Sequence, residues 1–210
     1  TNYGIIPYDE LQYLLTERQK KIKTQEIYRG GITHKDSMDN LLKRNQIDTI
    51  VHLASFPRQK VVNVNPQEGS RTMSEGLLNL LELATKHKVN KFVYISSSMV
   101  YGDFEDQVLE DAVCRPQGQY GIMKLAGEWL VKDYTRKTGM AHTIIRPSAV
   151  YGPLDVNDRV ISKFLLAAMR GDVLNVNGAN ETLDFTYVED AADGIVAATT
   201  MDVANNKTYK

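Results

Sequence analysis

The chain has 210 residues, 42% of them apolar and 24% charged, with 25 basic against 26 acidic side chains and a net charge of −1. That balance lacks the basic footprint of a nucleic-acid binder, and the composition is not that of a disordered chain. No apolar run approaches the ~20 residues a membrane helix needs, and the one cysteine, Cys114, cannot form an internal disulfide. The start, Thr1 to Gly4, has neither the basic nor the apolar region of a signal peptide and no initiator methionine. The expectation is a cytoplasmic globular protein and a fragment of a longer one.

Short β-branched runs alternate with helical patterns, which argues for an α/β fold with a parallel sheet. Tyr8 to Lys21 reads as a helix with Leu11, Leu14, Leu15 and Ile22 near helical spacing, ending in a basic cluster that reads as a solvated end. Residues 24–28 can form a strand, stopped by Gly30 and Gly31. Asp36 to Arg44 reads as a short helix that Asp36 or Ser37 can cap. Thr49 to Ala54 is a continuous apolar run of the kind buried on both faces of a parallel sheet, and His52 within it reads as a core histidine. Pro66 to Lys88 predicts one long helix whose inward stripe is Met73, Leu77, Leu80, Leu81 and Ala84.

Lys91 to Ser96 is the next strand and runs into the serines Ser96, Ser97 and Ser98. An acidic loop with Asp103, Glu105, Asp106, Glu110 and Asp111 reads as a solvated flap over a crevice. A helix from about Tyr120 to Lys137 closes at Gly139, and His142 to Arg146 is a third strand stopped by Pro147. Beyond Tyr151-Gly152-Pro153 the pattern predicts a helix over 158–170 ending at Gly171, strands near 173–176 and 185–188, and a helix over 189–199. A soft boundary near Pro153 divides a sheet domain, 1–153, from a smaller region, 154–210. None of the four histidines has metal-ligand spacing, so no metal is expected.

Tyr120 and Lys124 carry the sharpest chemical signal. Four apart on a helix, they share a face, with Cβ atoms about 5–6 Å apart. A phenol ionises near pH ~10, too high for a base at neutral pH, and an adjacent ammonium favours the phenolate. Such a pair can act as a general acid/base, although many helices carry it as a plain surface pair. Its context is the carboxyl edge of a parallel sheet, where ligand crevices lie. Ser97, 23 residues before Tyr120, can hydrogen-bond the same reacting oxygen.

These segments resemble a known family. Phe92-Val-Tyr-Ile-Ser-Ser-Ser-Met-Val-Tyr-Gly102, then Tyr120 with Lys124, then Ile145-Arg-Pro-Ser-Ala-Val-Tyr-Gly-Pro153 are similar to the extended short-chain dehydrogenase/reductases, within them the NAD-dependent epimerases and dehydratases of nucleotide sugars. Ile47 to Ser55 and Leu183 to Asp190 resemble two further family segments. The resemblance implies a Rossmann-like doubly wound parallel sheet, incomplete at its N-terminus, with part of a small C-terminal substrate-binding region. It implies Ser97, Tyr120 and Lys124 as catalytic residues, with Tyr120 the acid/base and Lys124 on the nicotinamide ribose. It further implies cofactor contacts at Leu53, Ala54, Ser55, Ser96, Pro147, Ser148 and Val150, with NAD, or alternatively NADP, as cofactor. A nucleotide-sugar substrate and a homodimer complete the expectation, the dimer formed through the long helices with Leu78, Leu81, Trp129, Leu130 and Tyr134 as surplus apolar residues; Trp129 also reads as a packing residue.

Several positions depart from the family pattern. The Gly-rich phosphate loop is absent, because Gly118-x-x-Gly121 opens the Tyr120 helix rather than following a strand. Gly31 stands where an aspartate near the adenine is usual, and the acidic residue for the adenosine ribose is missing. Leu183, Ala149 and Met73 replace an arginine and two asparagines usual on the nucleotide-sugar side, which weakens a UDP-sugar assignment. Ser98 and Met99 occupy the places of the acidic pair that dehydratases carry after the catalytic Ser/Thr, which favours epimerisation over dehydration. A carbonyl reductase and a non-catalytic relative are the alternatives.

Overall fold

The computed structural model describes residues 8–22, 26–56, 58–103, 108–155, 159–176, 178 and 183–210. In chain order the helices α1 (Tyr8–Lys21) and α2 (Lys35–Asn45) precede strand β1 (Thr49–His52). Helices α3 (Gln59–Val64) and α4 (Pro66–Ser70), a π-helical turn (Arg71–Glu75) and α5 (Gly76–Lys86) lead to strand β2 (Lys91–Ile95). Helix α6 (Gly118–Thr138) leads to β3 (Ala141–Ile145), and β4 (Ala149–Tyr151), α7 (Val160–Arg170), β5 (Phe185–Tyr187), α8 (Val188–Thr200) and β6 (Lys207–Tyr209) complete the order. Among the described residues no helix is long and apolar enough to cross a membrane.

The chain divides into two compact units. The larger comprises residues 28–148 and 192–210, the smaller residues 1–27 and 149–191. In the larger unit the strands lie in the order β1-β2-β3-β6 and every neighbouring pair is parallel. A parallel pair needs a long crossover, and the α3–α5 segment and α6 supply the two that join β1 to β2 and β2 to β3. Strand β2 is central, and Phe92, Val93 and Tyr94 are all buried because both of its faces are covered. Phe92, Tyr94 and Ile144 pack beneath α5 and α6 with Leu77, Leu80, Leu81, Ala84 and Val131, while Leu42 adds α2 to the same core. Each leucine, isoleucine, valine or phenylalanine among them contributes about 1.5–3 kcal/mol on full burial. On the opposite face, fully buried Thr143 donates to Ala204 O at 2.8 Å and reaches Ala198 O at 3.5 Å.

The predicted inward stripe of the long helix is the observed one, and all five of its residues are buried. Its regularity is not: the π-helical turn at Arg71–Glu75 interrupts it, and residue periodicity does not reveal such a turn. Leu81, which the sequence places both in that stripe and among the apolar residues left for a dimer, is fully buried and belongs to the core alone. Strand β1 stops at His52, the last residue paired to β2, and Leu53 and Ala54 lie past that ladder and are exposed rather than buried. Residues 26–28 are not in a strand, and 24–25 lie outside the described residues. Helix α2 starts one residue earlier than expected, with His34 at its N-cap position and no side-chain capping bond from Asp36 or Ser37.

In the smaller unit β4 and β5 form a two-stranded parallel pair, with Tyr151 edge-on to Phe185 and Tyr187. Arg159 donates to Val150 O at 3.1 Å, and Arg18 of α1 donates to Leu154 O at 2.7 Å. The strand predicted at 173–176 is not formed. The helix start predicted at 158 lies outside the described residues, and α7 ends at Gly171 as expected.

Candidate active site

Hydrogen bonding between β2 and β3 continues past their ends. Ser96 N–H donates to Ile145 O at 2.7 Å, and Ser98 N–H donates to Pro147 O at 2.9 Å. Ser96, Ser97, Pro147 and Ser148 thereby lie side by side at the carboxyl edge of the sheet. Ser97 is extended, and its hydroxyl accepts the N–H of Met99 at 3.2 Å to open a tight turn over Ser98–Val100. Helix α6 rests on that turn through Gly121, where a Cβ would lie 2.6 Å from Met99 O. Only a residue without a side chain brings the segment after Ser97 and the first turns of the Tyr120 helix this close.

Lys124 is buried, and its ammonium donates to Ile95 O, the last carbonyl of β2, at 2.8 Å. Its Nζ lies 5.8 Å from the centre of the Tyr120 ring and 5.4 Å from that of Tyr94. Burial pushes the Lys124 pKa from 10.5 down to about 8, against an opposing pull from Glu128. His52, buried at the end of β1, stacks on Tyr94 at 5.8 Å, and burial together with Lys124 pushes its pKa down to about 3. A neutral, stacked imidazole is a packing group here.

The depressed Lys124 pKa has a consequence for stability. Below pH 8 the lysine is charged in both states, so the folded chain bears the burial cost, about 3 kcal/mol. Between pH 8 and 10.5 the unfolded chain holds the proton and the folded chain does not, so stability rises with pH across that window. Lys124→Met is expected to be more stable than the wild type at pH 7.5, with the difference shrinking by pH 10. Denaturant unfolding of both proteins at the two pH values checks this; a pH-independent difference would overturn it.

Beneath these residues lies a network that sequence reasoning missed. Glu128, 1% exposed, accepts from Arg146 Nε at 2.9 Å and Nη2 at 2.7 Å, and from the Ser96 hydroxyl at 2.6 Å. Arg146 Nη1 also donates to Tyr101 Oη and to Glu110 O, each at 2.9 Å. The signal was available, because Tyr120, Lys124 and Glu128 recur at four-residue steps and so line one helix face. A charged residue repeated on a face that packs against a sheet calls for a buried partner.

Leu53, Ala54 and Ser55 follow β1 at the same edge; Leu53 is 58% exposed and the Ser55 hydroxyl donates to Phe56 O. Val150 belongs to β4 of the smaller unit. Asp103, Glu110 and Asp111 are exposed, as a solvated loop requires, while Glu105 and Asp106 lie outside the described residues. Among the described residues no group of three or more His, Cys, Asp or Glu could hold a metal ion.

The family model for the NAD-dependent epimerase/dehydratase family matches residues 6–210. The chain belongs to that family. It is 29% identical to a trifunctional UDP-glucose 4,6-dehydratase/UDP-4-keto-6-deoxy-D-glucose 3,5-epimerase/UDP-4-keto-L-rhamnose-reductase of Arabidopsis thaliana, over 91% of this chain and 30% of that protein. It is 28% identical to a UDP-glucuronate 4-epimerase of Thermodesulfobacterium geofontis, over 90% of this chain and 59% of that protein. The solved UDP-glucuronic acid 4-epimerase of Bacillus cereus, in complex with UDP-glucuronic acid and NAD, superposes with a TM-score of 0.83 at 28% identity, over 94% of this chain and 64% of that one. This epimerase/dehydratase chain thus spans less than two thirds of each of these relatives. Its relatives include both epimerases and dehydratases.

Proposed function

We propose that this chain carries the acid/base centre of an NAD-dependent epimerase acting on a nucleotide sugar. The observation that carries the reading is the buried Lys124 ammonium, fixed to the end of β2 and set beneath the Tyr120 ring. The boundary expected near Pro153 falls inside the smaller unit, and 192–210 group with the sheet; residues 28–148 with 192–210 would be the cofactor unit, and residues 149–191 would belong to the substrate side.

The residues present fit one half of NAD. Exposed Leu53 at the end of β1 offers an apolar surface beside the nicotinamide and ribose, and Lys124 offers a cation to ribose hydroxyls at the neighbouring strand end. Ala54, Ser55, Ser96, Pro147 and Ser148 line the same edge. The pyrophosphate half needs clustered backbone N–H groups at a glycine-rich helix start, and among the described residues no such start directly follows a strand of the sheet. When bound, NAD supplies the acceptor and donor of a hydride.

The chain's own part is proton transfer. Tyr120 would take the proton from the sugar hydroxyl and later return it, with Lys124 favouring the phenolate. Ser97 would hydrogen-bond the reacting oxygen and hold it for that exchange. Ser98 and Met99, following Ser97, offer no carboxylic acid to drive loss of water, which supports epimerisation over dehydration. The test is incubation of the full-length protein with UDP-sugars and NAD, followed by product separation: an epimer with no net NADH is expected, whereas the 210 residues alone are expected to bind NAD weakly because they lack the phosphate loop. Stoichiometric NADH consumption on a carbonyl substrate would make the protein a reductase instead.

The same reading includes a homodimer. On α6, Ile122 is 51% exposed and Trp129 is 65% exposed, with exposed Ala126 between them, so an apolar stripe faces away from the core. Leu130 and Tyr134, in contrast, pack against the core. A two-fold axis would set two such stripes together. Sedimentation at micromolar concentration is expected to report a dimer and Trp129→Glu a monomer. A monomeric wild type would overturn the assignment.

A further inference from the structure

The start of the Tyr120 helix is not capped by its own chain segment. The first N–H groups of a helix have no intrahelical partner, and the N-cap residue Gln117 makes no side-chain capping bond. The missing acceptor comes from a residue 61 positions away. Gln59 Oε1 accepts the backbone N–H of Tyr120 at 3.1 Å, while Gln59 Nε2 donates to Asn63 Oδ1 at 2.7 Å. The two bonds fix the orientation of the amide, because each end has a partner of opposite kind.

The surroundings are shaped to this contact. Gly118 has φ +72, and a Cβ there would meet Gln59 Nε2 at 2.5 Å, so the amide lies flat on the first residue of α6. Gln59 itself follows Arg58, a non-glycine residue held at φ 78. Conformations of that kind cost energy and persist only where the surrounding structure enforces them. A second strut ties the same helix start to α4, as Gln119 Nε2 donates to Pro66 O at 2.7 Å and to Ser70 Oγ at 2.6 Å. The segment bearing Gln59 is the continuation of Leu53-Ala54-Ser55, anchored by Phe56 at 1% exposure.

We propose that Gln59 is a positioning residue for the reaction: by capping α6 at Tyr120, it fixes the phenol relative to Lys124 and Ser97 and ties that placement to the strand-end segment 53–55. The inference rests on Tyr120 being the acid/base. A small displacement of a reacting group is costly, whereas the loss of one partly exposed capping bond is not, so Gln59 acts on rate more than on folding. Gln59→Glu keeps an oxygen for the Tyr120 N–H, and a negative charge suits a helix N-terminus. Gln59→Met keeps the length and loses the acceptor.

The experiment compares the wild type, Gln59→Met, Gln59→Glu and Tyr120→Phe in the epimerase assay, with thermal unfolding and with amide exchange at Tyr120. Gln59→Met is expected to lower kcat about 10- to 100-fold with KM for the nucleotide sugar nearly unchanged. Its Tyr120 amide should exchange faster, and its unfolding midpoint should stay within about 4 °C of the wild type. Gln59→Glu should recover most of the lost kcat and the slow exchange. An active wild type, an inactive Tyr120→Phe and a Gln59→Met with undiminished kcat would overturn the role of Gln59 alone. The same holds if Gln59→Glu is as slow as Gln59→Met. A Tyr120→Phe protein as active as the wild type would instead overturn the reading of Tyr120, and the role of Gln59 with it.

Discussion

Tyr120→Phe is expected to reduce turnover by at least about 10²- to 10⁴-fold while the protein keeps its fold. The substitution removes one hydroxyl and no ring contact. The helix cap from Gln59 goes to the Tyr120 backbone and survives the change, as does the Lys124 bond to Ile95 O. What disappears is the proton the site would give to and take from the sugar oxygen. Neither neighbour replaces it: Ser97 has an ordinary hydroxyl already engaged with the N–H of Met99, and His52 is neutral, buried and stacked. Epimerisation of the best UDP-sugar, followed over hours with NAD supplied, measures the loss, and a thermal melt confirms folding. Retention of near-wild-type turnover would remove Tyr120 from the chemistry.

Glu128→Ala is expected to cost about 3–5 kcal/mol of stability, a large share of what holds a domain of this size folded. The reason is the partner left behind. Arg146 is 4% exposed, and after the change its guanidinium would keep only Tyr101 Oη and Glu110 O. A buried charge without its counter-ion is far more costly than the absence of the pair. The paired replacement Glu128→Met with Arg146→Met should therefore lie closer to the wild type than Glu128→Ala does. Denaturant titration of the three proteins checks both expectations. A Glu128→Ala protein within about 1 kcal/mol of the wild type would mean that water reaches Arg146. Because the Ser96 hydroxyl also donates to Glu128, the loss should loosen the β2 end that carries Ser97.

The parallel α/β architecture, the inward stripe of the Pro66–Lys88 segment and the pairing of Tyr120 with Lys124 are all legible in the order of residues alone. These features repeat at the periods of single helices and strands, and hydrophobic alternation makes such periods visible without neighbours. Features that depend on residues far apart in the chain emerge only when the elements pack. Leu81 reads both as core-facing and as available to a dimer, and it is core because α5 packs with Phe92 and Tyr94 of the sheet and with α6. Strand β1 stops at His52, where its ladder with Tyr94 of β2 ends, a fact of strand pairing rather than of the run Thr49–Ala54. Glu128 finds its partner 18 residues away at the end of β3, and Tyr120 finds its cap 61 residues away on α3. Hydrogen-bond geometry over such separations is set by packing, so the sequence supplies the donors and acceptors and the fold chooses which of them meet.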